Sequence, residues 1–309
     1  MTARAPFPIQ PELTQIALAY RNPAYIADMV MPRAVVGTQE FKYLSHTKAE
    51  SYTIPDTTVG RKGRTNEVEF SATESTSATI DYGLEVGVPQ SDIENAPVNY
   101  NPLGRSTELL SELVMLDREL RVATQVFTAG NYATANKETL AGSDQWTHAS
   151  SDPIAKIMAA LDAAFIRPNF MVLGQEAWTA LRQNPVIMKA TNKNSGDKGA
   201  AARAAVAELF ELQDIYVGQG RYNSAKPNQT PTYGRLWTDS ALLFYKNPTA
   251  TPSMGVTFGL TAQWGDKVAM QWEDRNIGLR GGQRVRMGES VKELILAADC
   301  AFLFSDCCG

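Results

Sequence analysis

The residues best suited to chemistry in this sequence are two histidines, His46 and His148. Nucleophilic catalysis by serine or cysteine needs a base beside the nucleophile, and a histidine usually supplies it. Both histidines stand in polar, loop-like stretches that offer no such arrangement. A zinc site would need several histidine or cysteine ligands at short spacings, which the sequence does not contain. We therefore predict no catalytic residue and no metal ligand.

The three cysteines, Cys300, Cys307 and Cys308, lie close together in the sequence. No CxxC pair occurs, and an odd number of cysteines argues against a disulfide framework. Reduced thiols in a reducing compartment are the interpretation that we favour. A strained disulfide between the neighbours Cys307 and Cys308 is the alternative.

The segment Gly218-Gln219-Gly220 begins like a dinucleotide-binding fingerprint, but Asn223 stands where the third glycine would be. It follows a late strand and precedes no clear helix, so a loop is the better interpretation. Neither a GxxxxGKS/T phosphate-binding motif nor a DxDxDG calcium loop is present, and we predict no cofactor. Three tryptophans in apolar strands are expected to pack in the core: Trp237, Trp264 and Trp272.

One basic cluster, Arg61, Lys62 and Arg64, is followed closely by the acidic residues Glu67 and Glu69. A run of charges like this is most often the solvated tip of a hairpin. The functional alternative is a docking tip that meets charged groups on a neighbouring subunit. On that alternative, all five residues are candidate subunit contacts. A basic cluster of this size is weak evidence for nucleic-acid binding.

The chain has 309 residues, of which 44% are hydrophobic, and a formal net charge of −4. A chain of this length can bury a large core in one large domain or two intertwined domains. The charge gives no sign of a dedicated nucleic-acid binder. Neither a secretory signal nor a run of about 18 apolar residues is visible. We therefore expect a soluble protein, made inside a cell, with no membrane partner.

The elements that would position these residues begin with an arm, residues 1–39, punctuated by prolines. Apart from a short helix over 12–19, the arm should be extended, and it has too few apolar residues to fold alone. Residues 40–88 alternate apolar and polar side chains, as strands do, around a glycine-containing turn at 56–64. We predict a long two-stranded hairpin that needs a partner surface, because isolated ribbons are marginal in water.

The strongest helical signal covers residues 102–130. Asn101 can cap this helix, Pro102 suits its first position, and Asp117 can pair with Arg121 one turn later. Apolar residues spaced three and four apart predict its buried face: Leu109, Leu113, Leu116, Leu120, Ala123 and Phe127, widened by Leu110, Val114 and Val126.

The rest of the chain indicates an alternating α/β unit and then strands. Helices are predicted over 153–165, 176–183 and 200–210, with strands over 170–173, 214–217 and 241–245. After residue 255, strands are predicted over 256–264, 268–272, 284–287 and 294–304.

This order of parts, together with several short motifs, resembles the major capsid proteins of tailed bacteriophages with the Hong Kong 97-like fold. The motifs are Asn-Glu-Val-Glu-Phe70, Asn-Pro-Leu-Gly-Arg105, Leu-Asp-Arg-Glu-Leu-Arg121, Arg-Pro-Asn-Phe-Met-Val-Leu-Gly174, Ala-Trp-Thr-Ala-Leu-Arg182 and Ala-Leu-Leu-Phe-Tyr-Lys246. The resemblance covers nearly the whole chain. Each motif is a packing motif of moderate specificity, so their joint order is what identifies the family.

The resemblance implies an α+β fold in five parts. These would be an N-terminal arm (1–39), an extended β-hairpin called the E-loop (40–88), a peripheral domain (89–165) with a long spine helix at 102–130, an α/β axial domain (166–254), and return strands (255–309) that complete the peripheral domain.

The resemblance also implies a structural role, without enzymatic activity. Copies would assemble into hexamers and pentamers of an icosahedral shell that encloses double-stranded phage DNA without sequence-specific contacts. Because the arm begins almost at Met1, we expect a separate scaffolding protein, with a portal and a decoration protein as further candidate partners. The protein would reside in the virion after assembly in the host cytoplasm.

Three alternatives remain at the level of sequence. An encapsulin-like nanocompartment shares the fold but holds protein cargo, so a cargo enzyme would indicate it and packaged DNA would argue against it. An α/β hydrolase or nucleotide-binding enzyme would need a histidine-containing site or a phosphate loop. A tail or decoration protein would usually be smaller and lack the long helix.

Overall fold

The computed structural model describes residues 11–19, 22–46, 54–67, 72–191, 199–226, 228–252 and 255–309. The helices in these ranges are α1 (Pro11–Ala19), α2 (Ala27–Val30), α3 (Gln90–Glu94), α4 (Pro102–Phe127), α5 (Pro153–Ala163), α6 (Gln175–Gln183), α7 (Pro185–Thr191) and α8 (Arg203–Leu209). The strands are β1 (Arg33–Val36), β2 (Glu40–His46), β3 (Ala72–Ala78), β4 (Ile80–Pro89), β5 (Lys137–Thr139), β6 (Phe170–Gly174), β7 (Asp214–Gly218), β8 (Arg221–Asn223), β9 (Tyr233–Arg235), β10 (Ala241–Phe244), β11 (Gly259–Asp274), β12 (Gly282–Ile295) and β13 (Ala301–Ser305).

A four-stranded sheet with the order β1-β11-β12-β4 forms one layer of the molecule, which we call the peripheral sheet. Its centre is the long antiparallel pair β11–β12, whose register shifts between Trp264 and Val268. The two-stranded hairpin predicted over 40–88 is wrong in its second half. Only β3 pairs with β2, whereas β4 pairs with β12. Alternation of apolar and polar residues identifies a strand but not its partner.

Helix α4 lies across one face of the peripheral sheet. The side chain of Asn101 caps it as predicted, because its Oδ1 accepts hydrogen bonds from the N–H groups of Leu103 and Gly104 at 3.1 and 3.0 Å. The helix ends at Phe127, earlier than the predicted residue 130. Its buried apolar residues are Leu110, Val114, Val122, Ala123 and Val126.

The predicted buried face of α4 is therefore confirmed at Leu110, Val114, Ala123 and Val126, and it is wrong at two residues near its start. Leu109 and Leu113, which began the predicted apolar row, are 50% and 49% exposed. Apolar residues cover more of this helix than one neighbouring layer can bury, so the position of the sheet decides which of them are buried.

A five-stranded sheet with the order β5-β13-β10-β6-β7 forms the second layer, which we call the axial sheet. Helices α5 to α8 pack on one of its faces, and α2 with the second half of α4 packs on the other. The predicted α/β unit is thus present. Helix α7 was not predicted, because Pro185 begins a helix where we expected only an end.

The single strand predicted over 294–304 is wrong. The structure has β12 ending at Ile295, a 3-10 turn at Ala298–Cys300, and β13 at Ala301–Ser305. The first strand belongs to the peripheral sheet and the second lies between β10 and β5 of the axial sheet. The apolar run is interrupted only by Asp299, and this single polar residue was not enough to indicate that the chain leaves one sheet for the other there.

The helix predicted over 12–19 is present as α1, but the arm, expected to be otherwise extended, contains a second helix and packs on its own chain. Leu13 and Ala17 of α1 are buried against residues of α4 and the peripheral sheet. Residues 26–31 enter the core beneath the axial sheet, and β1 pairs in parallel with β11. The arm has few apolar residues, but their spacing matches the surface of its own chain.

Two of the three tryptophans differ from the core prediction. Trp237 is fully buried, whereas Trp264 is 40% exposed and Trp272 is partly exposed on β11. The buried Trp237 explains the glycine motif, because a Cβ added at Gly218 would lie 2.2 Å from the indole ring. Gly218 therefore permits close packing, and the loop interpretation of the segment fits better than a nucleotide site.

Candidate subunit-contact surfaces

Residues 54–67 form the most exposed segment of the described chain, and we call them the hairpin tip. All of these positions are exposed. Strands β2 and β3, which pair over seven residues each, lie on either side of the tip in sequence. The tip contains four of the five predicted contact residues, Arg61, Lys62, Arg64 and Glu67. Glu69 lies outside the described residues.

The shape of the tip is maintained by its own short-range hydrogen bonds. The N–H of Gly63 donates to the carbonyl of Gly60 at 2.8 Å, which closes a turn. The Asp56 carboxylate accepts from the N–H of Thr58 at 2.9 Å, and Asn66 Nδ2 donates to the Asp56 carbonyl at 2.7 Å. The hydrogen bond from Thr58 also lowers the pKa of Asp56. The tip is therefore a partly ordered projection.

The side chains of the tip have no surface of their own chain to pack against. Ile54 is 93% exposed, and Val59 is exposed as well. No ion pair joins Arg61, Lys62 or Arg64 to another residue of the described ranges. A segment with exposed apolar side chains and unpaired charges is suited to contact with a second molecule.

A second exposed surface lies on the face of the peripheral sheet opposite α4. Trp264, Val268 and Met270 border a shallow groove of about 490 Å³ at the register shift of β11. Two glycines, Gly83 of β4 and Gly288 of β12, pair with each other in this groove. Because glycine has no side chain, the centre of the groove stays open. Other large apolar side chains exposed on the described surface include Val35, Val98, Tyr100, Leu109, Leu113 and Leu279.

A buried ionic cluster joins the arm to α4 and the peripheral sheet, and we did not predict it. Arg118, only 3% exposed, donates to Asp28 Oδ1 at 2.6 Å and to Thr261 Oγ1 at 3.0 Å. Arg33 binds the same Asp28 oxygen at 2.8 Å and Glu289 at 2.7 Å. A buried charge is tolerated when it is paired and hydrogen-bonded. Arg118 meets this condition through Nη1 and Nη2, whereas its buried Nε has no hydrogen-bond partner and the Asp28 side chain is 53% exposed.

Asp28 makes the cluster sensitive to acid. Burial by itself would raise the pKa of Asp28, but the guanidinium groups of Arg118 and Arg33 outweigh it and lower the pKa below its usual 3.8. A carboxyl group whose pKa is lower in the folded than in the unfolded protein stabilises the folded state at pH values above its pKa in the unfolded protein. This stabilisation is lost as the pH falls through the pKa of the group in the folded protein.

We expect Asp28→Asn to unfold more easily than the parent at neutral pH, with the difference shrinking below about pH 4. Urea unfolding at a series of pH values measures this difference. The matched control is Asp162→Asn, which removes a carboxylate from an exposed pair with Arg167 and should change little. An unchanged gap between parent and Asp28→Asn across the acid range would show that Asp28 is not the titrating group.

Among the described side chains, those considered for chemistry do not come together in a site. His148 is exposed and contacts Ser150, and His46 ends β2. Cys300, Cys307 and Cys308 are free thiols, and burial raises the pKa of Cys307 well above its usual range. In the described ranges, no group of His, Cys, Asp and Glu side chains is placed to hold a metal ion. Within the same ranges, the helices are too short or too polar to cross a membrane.

The fold is that of phage capsid proteins. It matches a phage-related protein from Bordetella bronchiseptica RB50 with a TM-score of 0.75 at 20% identity, covering 98% of each chain. It also matches the capsid structure of cyanophage P-SCSP1u with a TM-score of 0.60 at 13% identity, covering 93% of this chain and 89% of that one. The arrangement is thus the Hong Kong 97-like fold found in phage capsid proteins.

Sequence comparison identifies the family within this class. The model of the family described as phage major capsid protein E matches residues 116–274. The major capsid protein of Pseudomonas phage JBD67 is 53% identical over 304 residues, covering 98% of both proteins. This chain belongs to the family of phage major capsid proteins. That relationship favours the capsid interpretation over the encapsulin-like, enzymatic and tail-protein alternatives.

Proposed function

We propose that copies of this chain assemble into hexamers and pentamers that close an icosahedral shell around double-stranded DNA. The observation that supports this best is the hairpin tip, which is exposed at every position from 54 to 67. A projection with exposed Ile54 and unpaired basic groups is stabilised when a neighbouring copy covers it. Obligate interfaces of this kind commonly bury more than about 2,000 Å².

In this proposal, the tip is the docking element between neighbours, through Arg61, Lys62, Arg64, Glu67 and Glu69. Opposite charges on the adjoining copy would set the orientation of docking more than its strength. Each contact can be weak, because a subunit in a closed shell makes several contacts at once. The arm (1–39), E-loop (40–88), peripheral domain (89–165 and 255–309) and axial domain (166–254) are the proposed parts of the assembling unit.

The proposed relation to DNA is enclosure without sequence-specific contact. A net charge of −4 supports this, because a dedicated DNA-binding domain is usually basic. We further propose that the protein has no enzymatic activity, that a separate scaffolding protein, a portal and a decoration protein are its partners, and that assembly takes place in the host cytoplasm.

Electron microscopy of the purified protein, expressed with and without the neighbouring phage genes, tests the proposal. Closed shells of uniform diameter, with DNA inside when the packaging genes are present, are the expected result. Shells that contain a co-purified enzyme and no DNA would favour the encapsulin-like alternative. A protein that stays monomeric under both conditions would contradict the proposed assembly.

A further inference from the structure

The short helix α2, residues 27–30, is held at both ends by charged side chains from different parts of the fold. Its first N–H groups and last carbonyl groups have no partners within so short a helix, so other groups must satisfy them. Glu119 of α4 binds the beginning of α2, and Lys246, which follows β10, binds its end. We call this arrangement the α2 latch.

At the first end of the latch, three N–H donors converge on one carboxylate. Glu119 Oε1 accepts from the Ile26 N–H at 2.8 Å and from Trp237 Nε1 at 2.6 Å. Its Oε2 accepts from the Ala27 N–H at 2.8 Å. Burial raises the pKa of the Glu119 carboxyl, and the hydrogen bonds from Ile26, Trp237 and Ala27 act in the opposite direction.

At the second end, the ammonium group of Lys246 lies between the arm and the axial sheet. Its Nζ donates to the Met29 carbonyl at 2.9 Å and to the Tyr216 hydroxyl at 2.7 Å. It also lies 4.1 Å from the centroid of the Phe170 ring, at cation–π distance. One lysine thus joins the end of α2 to β6 and β7 of the axial sheet.

The sides of α2 contact the peripheral sheet through the ionic cluster. Asp28 pairs with Arg118 and Arg33, and Thr261 Oγ1 donates to the carbonyl of Met31 at 3.1 Å. The latch therefore connects α4, the peripheral sheet and the axial sheet through residues of the arm.

Polar contacts matter here because apolar packing does not enclose this part of the arm completely. A cleft of about 590 Å³ opens between the arm and α4, with Tyr25, Met115, Glu119 and Lys267 among its lining residues. On that side, directional bonds rather than close-packed side chains fix the arm.

We propose that Glu119 and Lys246 are positioning residues that fix, through α2, the angle between the peripheral and axial sheets, and thereby the curvature of the assembled shell. This inference rests on the proposed function, because curvature has a meaning only if copies assemble. The link is geometric: a small change of angle within each subunit is repeated around a closed ring and alters whether the ring closes.

The substitutions Glu119→Gln and Lys246→Met test the latch at its two ends. A glutamine amide places N–H donors where Glu119 presents a second acceptor, so at least one of the three donors loses its partner. Methionine keeps much of the length of Lys246 and loses its charge and all three donors. Lys246 is only half-buried, so Lys246→Met should fold even if Glu119→Gln is poorly soluble.

Hydrogen exchange measured by mass spectrometry tests directly whether the latch holds α2 in place. Amides of residues 26–30 should exchange at least about tenfold faster in each variant, while amides of β6 and β10 stay protected. If α2 is released as one unit, either substitution alone already releases it. The amides of residues 26–30 in the double variant should then exchange little faster than those in either single variant. Glu108→Gln, an exposed carboxylate on the same helix, is the matched control and should behave like the parent.

Electron microscopy of assembled particles then tests the consequence. We expect the variants to form open or irregular particles with a broad range of diameters, under conditions in which the parent forms uniform shells. Uniform shells of parental diameter from both variants would overturn the inference, as would unchanged exchange at 26–30 or strictly additive effects of the two changes. Failure of the parent itself to form shells would instead overturn the proposed function, while the exchange data would still report whether the latch exists.

Discussion

Deleting residues 56–66 should give a folded, soluble protein that forms no shells. The deleted residues belong to the exposed tip and contribute no buried side chain, so the free energy of unfolding should change by less than about 1 kcal/mol. Assembly should be lost, because the deletion removes the proposed docking element from every subunit at once. Sedimentation velocity and electron microscopy measure assembly, and urea unfolding measures stability.

Charge variants of the tip test whether docking needs the charges of the tip and not only its length. Arg61→Glu with Arg64→Glu should assemble poorly, because the reversed charges would face like charges on the neighbour. Arg61→Lys with Arg64→Lys keeps the charges and should assemble well. Normal shells from the deletion variant would refute the docking role of the tip. Equal assembly of both charge variants would show that its charges do not direct docking.

Replacing the buried indole by Trp237→Ala should destabilise the protein by about 3–5 kcal/mol. Trp237 is fully buried beside Gly218, and its ring makes an edge contact with Phe127 at 5.3 Å between centroids. The change opens a cavity between α4 and the axial sheet and removes one of the donors to Glu119. Urea unfolding monitored by circular dichroism gives the free energy difference.

Trp264 is the control for Trp237, because the sequence predicted that both tryptophans pack in the core. Trp264 is 40% exposed, so Trp264→Ala should cost less than about 1 kcal/mol in the unassembled subunit. A cost for Trp264→Ala as large as that for Trp237→Ala would mean that the exposed face of β11 is covered within the subunit.

Local features were the most predictable from sequence, and α4 shows why. The cap by Asn101 and the pair between Asp117 and Arg121 are formed as expected, because each depends on residues within one turn of a helix. The predicted buried face was right at Leu110 and Val114 but too wide, since Leu109 and Leu113 are exposed. That choice depends on the neighbouring sheet, which a helical pattern does not contain.

Strand pairing was less predictable for a related reason. The alternation over Ile80–Val88 correctly predicts a strand, but β4 pairs with β12, about 200 residues later in the chain. The apolar run over 294–304, interrupted only by Asp299, was likewise taken for one strand, although the chain turns at Ala298–Cys300 and enters a different sheet. Contacts between distant segments decide both outcomes, and no local signal reports them.

Of the candidate sites, the tip was visible in the sequence and the latch was not. The glycines and charges near 60–64 indicate an exposed turn. The ionic cluster beside the latch had one signal: Arg118 stands where the four-residue spacing of Leu110, Val114 and Val122 requires a buried side chain. A charged residue in such a row indicates a buried, paired charge. The carboxylate partner of Arg118, Asp28, lies 90 residues earlier in the chain, so the sequence does not indicate it.

The position of β13 has a consequence for synthesis on the ribosome. β13 comes last in the chain order of the axial sheet, yet it lies inside that sheet, between β10 and β5. When β6, β7 and β10 have left the ribosome but β13 has not, the edge of β10 that β13 will occupy has no native partner. A nascent chain that stops before residue 301 lacks the strand that joins β5 to the rest. Truncated products should therefore be misfolded and degraded before they can be incorporated into a growing lattice.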